Sequence, residues 1–266
     1  MALFGKLFEK KVCSICGGEI GLLGNRKLAD GNCCKKCASK LSRWFEDRRE
    51  STVAQIMDQI AYREKNAEEL KLFVVSDVIG EYEKMYIETV DDVPARFFVA
   101  SDRNYLDENP DIISFADVIS CTLDIDENEE ELMRENEKGE SVSYNPQRFE
   151  HHYNFYIDMV IRNNPYFDSI RFNINDDDVT LETVRGRNPV SPVSRNPAYS
   201  RPMERYKQYE QMGKEICQAV EAARNGAKAQ KEAVVAAEAA KPAFCPACGA
   251  PSGDSNFCQF CGSKLV

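Results

Sequence analysis

Eight of the eleven cysteines in this 266-residue chain fall into four Cys-x-x-Cys pairs, two at each end. Cys13 and Cys16 are followed after 17 residues by Cys34 and Cys37; Cys245 and Cys248 are followed after nine by Cys258 and Cys261. Four thiols in two such pairs have the spacing of a closed tetrahedral metal site. Segments this short bury too little apolar surface to fold alone. The pairs therefore predict two small ribbons that fold around metal, in the second case with about 10–16 kcal/mol supplied by the ion if it is zinc. Because four thiolates leave no position for water, each site is expected to hold one structural Zn ion, two per chain, rather than a reaction centre.

The three other cysteines are Cys33, Cys121 and Cys217. Cys33 adjoins Cys34 and could compete with it as a ligand; Cys34 is preferred because it reproduces the two-residue spacing of the other pairs. Cys121 and Cys217 read as small apolar core groups. The chain starts without a secretory pattern and has no apolar run of the ~20 residues that span a bilayer. A cytoplasmic location is expected, where paired thiols serve as metal ligands rather than disulfides. The formal net charge is −10, and two tetrathiolate zinc sites would take it to about −14. The acid is concentrated in residues 51–186, with 31 Asp/Glu against 12 Lys/Arg. Such a balance disfavours phosphate binding by the chain as a whole.

Along the chain, residues 1–11 form a short amphipathic, basic start, with Leu3, Phe4, Leu7 and Phe8 beside Lys6, Lys10 and Lys11. Residues 12–42 are the first ribbon, with Cys-x-x-Cys knuckles at 13–16 and 34–37. A connecting helix over 43–70 starts at the capping box Thr52-x-x-Gln55 and carries Val53, Ile56, Met57 and Ile60 at helical spacing. From about residue 72 the period changes to 2. Short strands are expected at 72–75, 82–87, 97–99 and 121–125. A long one at 153–161 is followed by a hairpin of 170–174 with 179–183, turning at 175–178. The acidic run Asp124 to Glu131 reads as a solvated loop, and His151 and His152 as facing solvent or a strand edge. A helix with Tyr206, Tyr209, Gly213, Ile216, Val220 and Ala223 on one face closes a domain spanning 71–225. The expected fold class is α+β: mainly antiparallel β, a pleckstrin-homology-like barrel or sandwich closed by a C-terminal helix, flanked by the two ribbons. Residues 226–243 read as an Ala-rich linker with some helical character, and 244–266 as the second ribbon. The first ribbon should be docked and the second mobile.

The run Cys13-x-Ile15-Cys16-Gly17, then Leu28-x-Asp30-Gly31-x-x-Cys34-x-x-Cys37, resembles a bacterial domain-of-unknown-function family whose members begin with a zinc ribbon. Asn164-Pro165-Tyr166-Phe167 and Tyr206-x-x-Tyr209 resemble its middle domain, and the last 22 residues resemble a generic zinc-ribbon tail. The resemblance implies no enzymatic activity and no particular partner. No nucleophile elbow, phosphate loop or His-Glu-x-x-His helix is present, so no catalytic or cofactor-binding residue besides the metal ligands is expected. The reading is a non-enzymatic adaptor with a protein partner. One alternative is nucleic-acid binding through Lys35, Lys36, Lys40, Arg43, Arg48 and Arg49. A second is membrane contact through residues 1–11.

Overall fold

The computed structural model describes residues 11–101, 104–190, 197–239, 244–251, 255 and 257–265. The first module has two short hairpins, β1 (Lys11–Val12) with β2 (Glu19–Ile20) and β3 (Arg26–Lys27) with β4 (Asn32–Cys33), followed by the one-turn helix α1 (Lys35–Ala38). Helix α2 (Val53–Leu72) comes next. Its start is the predicted capping box: the Thr52 hydroxyl accepts the Gln55 N–H, and the Gln55 side chain accepts the Thr52 N–H. Asp30 of the first module adds a second cap by accepting the Val53 N–H at 2.7 Å. Ribbon and helix thus share a terminus that would otherwise leave donors unpaired.

The next four strands form an antiparallel meander: β5 (Asp77–Ile79), β6 (Lys84–Val90), β7 (Val93–Ala100) and β8 (Ile113–Ser114). The short helix α3 (Tyr105–Glu108) lies between the last two. Residues 72–75, expected as a strand, are instead the end of α2 and an extended link; the apolar run reflects Phe73 packing on Phe98, not pairing. The β6–β7 turn places Asp91 and Asp92 at positive φ, the two-residue geometry that matches strand twist. Both faces of this sheet are covered. Met85, Ile87, Phe97 and Val99 enter the main core, while Tyr86, Phe98 and Ala100 pack with Leu70 and Phe73. That double burial explains the uninterrupted apolar stretches in both strands.

The second sheet is built on two long strands, β9 (Val118–Glu135) and β10 (Ser141–Ile161), paired along most of their length. The acidic run Asp124 to Glu131 is therefore strand, correcting the loop reading. Arg171 offsets the first carboxylates of the run, lying 2.7 Å from Asp124 and 3.3 Å from Asp126, and also 2.6 Å from Asp158 of β10. On the other edge of β10 lie β11 (Ser169–Asn173) and β12 (Val179–Val184). They do not form the expected hairpin with each other. Both pair antiparallel to β10, end to end, with residues 174–178 bulging between them. Asn175 fills the break: its side-chain Oδ1 accepts the Phe155 N–H at 2.7 Å, so the buried ladder loses no partner.

Helix α4 (Pro197–Ala239) closes the core with Tyr206, Tyr209, Ile216, Val220, Ala223 and Ala227. The Ala-rich stretch after 225 continues this helix as far as Ala239. The architecture is α+β and mainly antiparallel with a C-terminal helix, as expected, but the two sheets do not close into a barrel.

One buried ion pair ties α2 to this domain. Arg63 lies 2.7 Å from Asp111, and both side chains are nearly inaccessible. Arg63 also donates to the Asn109 carbonyl, Ser42 donates to Asp111 at 2.7 Å, and Asn66 donates to the Pro110 carbonyl at 2.8 Å. Removing one member of a satisfied buried pair strands the other's charge. Asp111→Ala is expected to cost about 3–5 kcal/mol, read as a lower urea midpoint at unchanged slope.

Candidate metal centres

The chain's own turns bring the eight cysteines together in two sets. In each, four sulfur atoms lie within 4.8 Å of one another. At the first centre, Cys13 follows β1 and starts a knuckle: its N–H donates to the Gly18 carbonyl, and its carbonyl accepts the Gly17 N–H. Gly17 sits at φ +71, a conformation a Cβ would strain. The second pair is not the expected knuckle. Ala38, not glycine, follows Cys37, so the chain continues into α1 with Cys34 as its N-cap and the Cys34 sulfur accepting the Cys37 N–H at 3.4 Å. The Cys34 N–H in turn donates to the Cys13 sulfur at 3.3 Å.

The second centre repeats one knuckle twice. The N–H groups of Cys245 and Cys258 donate to the carbonyls of Ala250 and Ser263, and both turns close on glycines at positive φ, Gly249 and Gly262. The Cys245–Cys261 and Cys248–Cys258 sulfur pairs are each 3.6 Å apart, and Cys16–Cys34 is 3.8 Å. A tetrahedron with metal–sulfur bonds of about 2.3 Å has edges of about 3.8 Å, whereas a disulfide would need about 2.05 Å. The spacing fits a thiolate-bound ion.

The protonation pattern points the same way. Burial opposes ionisation of Cys13, but N–H groups of Cys16, Cys34 and Ile15 outweigh it and hold the thiol near 6, while burial and its three thiol neighbours push Cys37 well up. At the second centre the Ser263 hydroxyl and N–H hold Cys261 near 6; Cys248 is pushed to about 12, with the Ala250 N–H opposing the Cys261, Cys258 and Cys245 thiols. Four adjacent thiols cannot all ionise unaided, and a bound cation removes that conflict.

Cys33 stands outside the first set. It is fully buried in the ribbon's own core, its thiol donates to the Cys34 carbonyl at 3.4 Å, and burial with the Cys13 and Cys34 charges pushes it up to about 11.

Residues 11–59 match the family described as domain of unknown function DUF4428. No curated protein and no solved structure matches the chain. The DUF4428 segment covers the first centre and the start of α2, and its structure explains the residues around the cysteines. Leu28 is buried with Ile56 and Ile60 of α2, Asp30 caps that helix, and a Cβ on Gly31 would come within 2.7 Å of Ser14 and Val53.

Other candidates are placed differently. Of the basic residues, Arg43 binds Glu83 at 2.5 Å and covers the Trp44 ring, Arg48 donates to the Lys27 carbonyl, and Lys40 lies 3.7 Å from Glu64. Leu3, Phe4, Lys6, Leu7, Phe8 and Lys10 of the amphipathic start lie outside the described residues. Among the described residues no helix is long and apolar enough to cross a membrane. His151 does not face solvent. It shares the inward parity of Tyr153 and Phe155 and is held between Glu127 at 2.7 Å and Thr183 at 2.8 Å. Strand parity, counted back from residue 153, is the signal that places it. Sequence reasoning also missed the exposed apolar groups beside both centres: Leu22 and Leu23 at the first, Phe244, Phe257 and Phe260 at the second.

Cys34→Ala is expected to remove one metal equivalent, whereas Cys33→Ala leaves the metal content unchanged. Elemental analysis of the two purified variants separates them.

Proposed function

We propose that this chain is a zinc-binding, non-enzymatic adaptor that recognises another protein through its two ribbons. The observation that carries the reading is the position of the apolar side chains. Several large apolar groups lie on the surface of the two ribbons, adjacent in sequence or close to the cysteines. Leu22 and Leu23 are 81% and 83% exposed, and Phe260 is 78% exposed. With the fold held by an ion, these groups are free for contact with a partner.

Zinc is the ion that best suits four thiolates, since soft sulfur ligands select it and a tetrahedral sulfur set matches its geometry. The ion would have no open position, so its role is structural. A reducing cytoplasm is where eight such thiols stay available as ligands. The middle domain supports a pleckstrin-homology-like reading in part: a four-stranded meander and a second antiparallel sheet are capped by one C-terminal helix. Its acidic character favours partners with basic surfaces.

The test is affinity capture with wild type, Leu22→Ser with Leu23→Ser, and Phe257→Ser with Phe260→Ser, each with metal content measured. Retention of both metal ions with loss of one specific partner in one double variant is expected. Equal capture by all three proteins, or no specific partner for wild type, contradicts the adaptor reading.

A further inference from the structure

The core contains a second pairing of cysteines that has nothing to do with metal. Cys121 lies on β9 and Cys217 on α4, 96 positions apart in sequence, and their sulfur atoms are 3.3 Å apart with the Cys121 thiol donating to Cys217. Taken as isolated residues, both look like small apolar filler. Their contact results from how the helix is laid on the strand. Gly213 lies over Leu123, so close that a Cβ there would come within 2.4 Å of the leucine methyl. One helical turn later Cys217 meets Cys121, and further on Arg224 donates to the Ile119 carbonyl at 2.6 Å. The helix thus runs antiparallel to the strand. Four helical residues advance about 6 Å and two strand residues about 6.6 Å, so the two tracks stay in step. Gly213 permits the approach, and Arg224 fixes the register beyond it.

We propose that Cys121 and Cys217 are a redox site that closes into a reversible disulfide between β9 and α4. Forming a bond of about 2.05 Å requires the sulfurs to approach by about 1.3 Å from their 3.3 Å contact. Neither thiol belongs to a metal set, so the bond forms without loss of an ion.

The two thiols are unequal. The hydrogen bond from Cys121 lowers the Cys217 thiol, and that same bond, followed by burial, raises Cys121. The attack falls to Cys217, the sulfur that accepts the hydrogen bond from Cys121. With a peroxide as oxidant, the Cys217 sulfur attacks one oxygen, the O–O bond breaks, and the products are a sulfenic acid on Cys217 and hydroxide. Cys121 then attacks the Cys217 sulfur, the S–S bond forms and the S–O bond breaks. The departing hydroxyl takes the Cys121 proton and leaves as water, and the hydroxide from the first step takes the proton that Cys217 had released. Overall two thiols and one peroxide give one disulfide and two waters; the sulfurs lose two electrons and the peroxide gains them. A dithiol reverses the bond by exchange.

The experiment uses the full-length, metal-loaded chain treated with limiting hydrogen peroxide, alkylated, digested without reductant and analysed by mass spectrometry. The expected product is a peptide pair joined through Cys121 and Cys217, lighter by two hydrogens than its parts and separated by dithiothreitol. In Cys121→Ser, a sulfenic acid on Cys217 should accumulate and be trapped by dimedone. In Cys217→Ser, Cys121 should remain an unmodified thiol. The proposal is overturned if both cysteines are recovered singly alkylated while the ribbon cysteines oxidise, or if either cross-links to a different cysteine. It is also overturned if dimedone labels Cys121 in Cys217→Ser but not Cys217 in Cys121→Ser.

Discussion

Four sulfur atoms held within 4.8 Å of each other set the terms for both ends of this protein. Thiols packed this closely resist joint ionisation, and an ion that accepts all four converts that conflict into the strongest local restraint available to a short chain. The consequence is structural economy. The second module buries only Cys245, Cys258 and Leu265 among its described residues, with Ala250 packed beside them, which is far too little apolar surface to order a chain by itself. Its aromatic residues Phe244, Phe257 and Phe260 lie outside this small core.

The two centres serve this end in different settings. The first is continuous with the rest of the molecule. Cys13, Cys33 and Cys37 share a core with Ile56 and Ile60 of α2, and the same helix carries Arg63 and Asn66 into the buried network around Asp111 and Leu70 into the packing on the first sheet. Helix α2 therefore belongs to three packing regions in succession. The ribbon is oriented by the helix, and the helix is oriented by a buried ion pair held in a network of hydrogen bonds. The second centre has a core made of its own residues and comes after α4, the long helix that covers the main core.

Much of this was legible in the sequence, for identifiable reasons. The thiol spacings are set by coordination geometry, so they survive translation into structure almost unchanged. Thr52 and Gln55 marked the start of α2 because a capping box needs only four residues. Alternation along 153–161 revealed β10 because one face is buried against α4. The failures lie where a distant partner overrides local pattern. Carboxylates from Asp124 to Glu131 look like a loop until their distant partners are placed: Arg171 beside Asp124 and Asp126, His151 beside Glu127 and Gln147 beside Glu131. Residues 170–183 look like a hairpin because the bulge at Asn175 has turn composition, yet both halves pair with β10. The second pair of the first centre reads as a knuckle by its cysteines, but Ala38 lacks the conformational freedom of Gly17, and a helix forms instead. His151 and the Cys121–Cys217 contact depend on strand parity and helix register, which single residues do not announce.

Each of the two four-cysteine groups is arranged to hold an ion with four sulfur ligands and no open position. X-ray absorption at the zinc edge of the purified protein tests this directly. The expected result is a first shell of sulfur alone, at about 2.3 Å, for all the bound zinc. A nitrogen or oxygen scatterer in that shell, marking a histidine, carboxylate or water ligand, would contradict it.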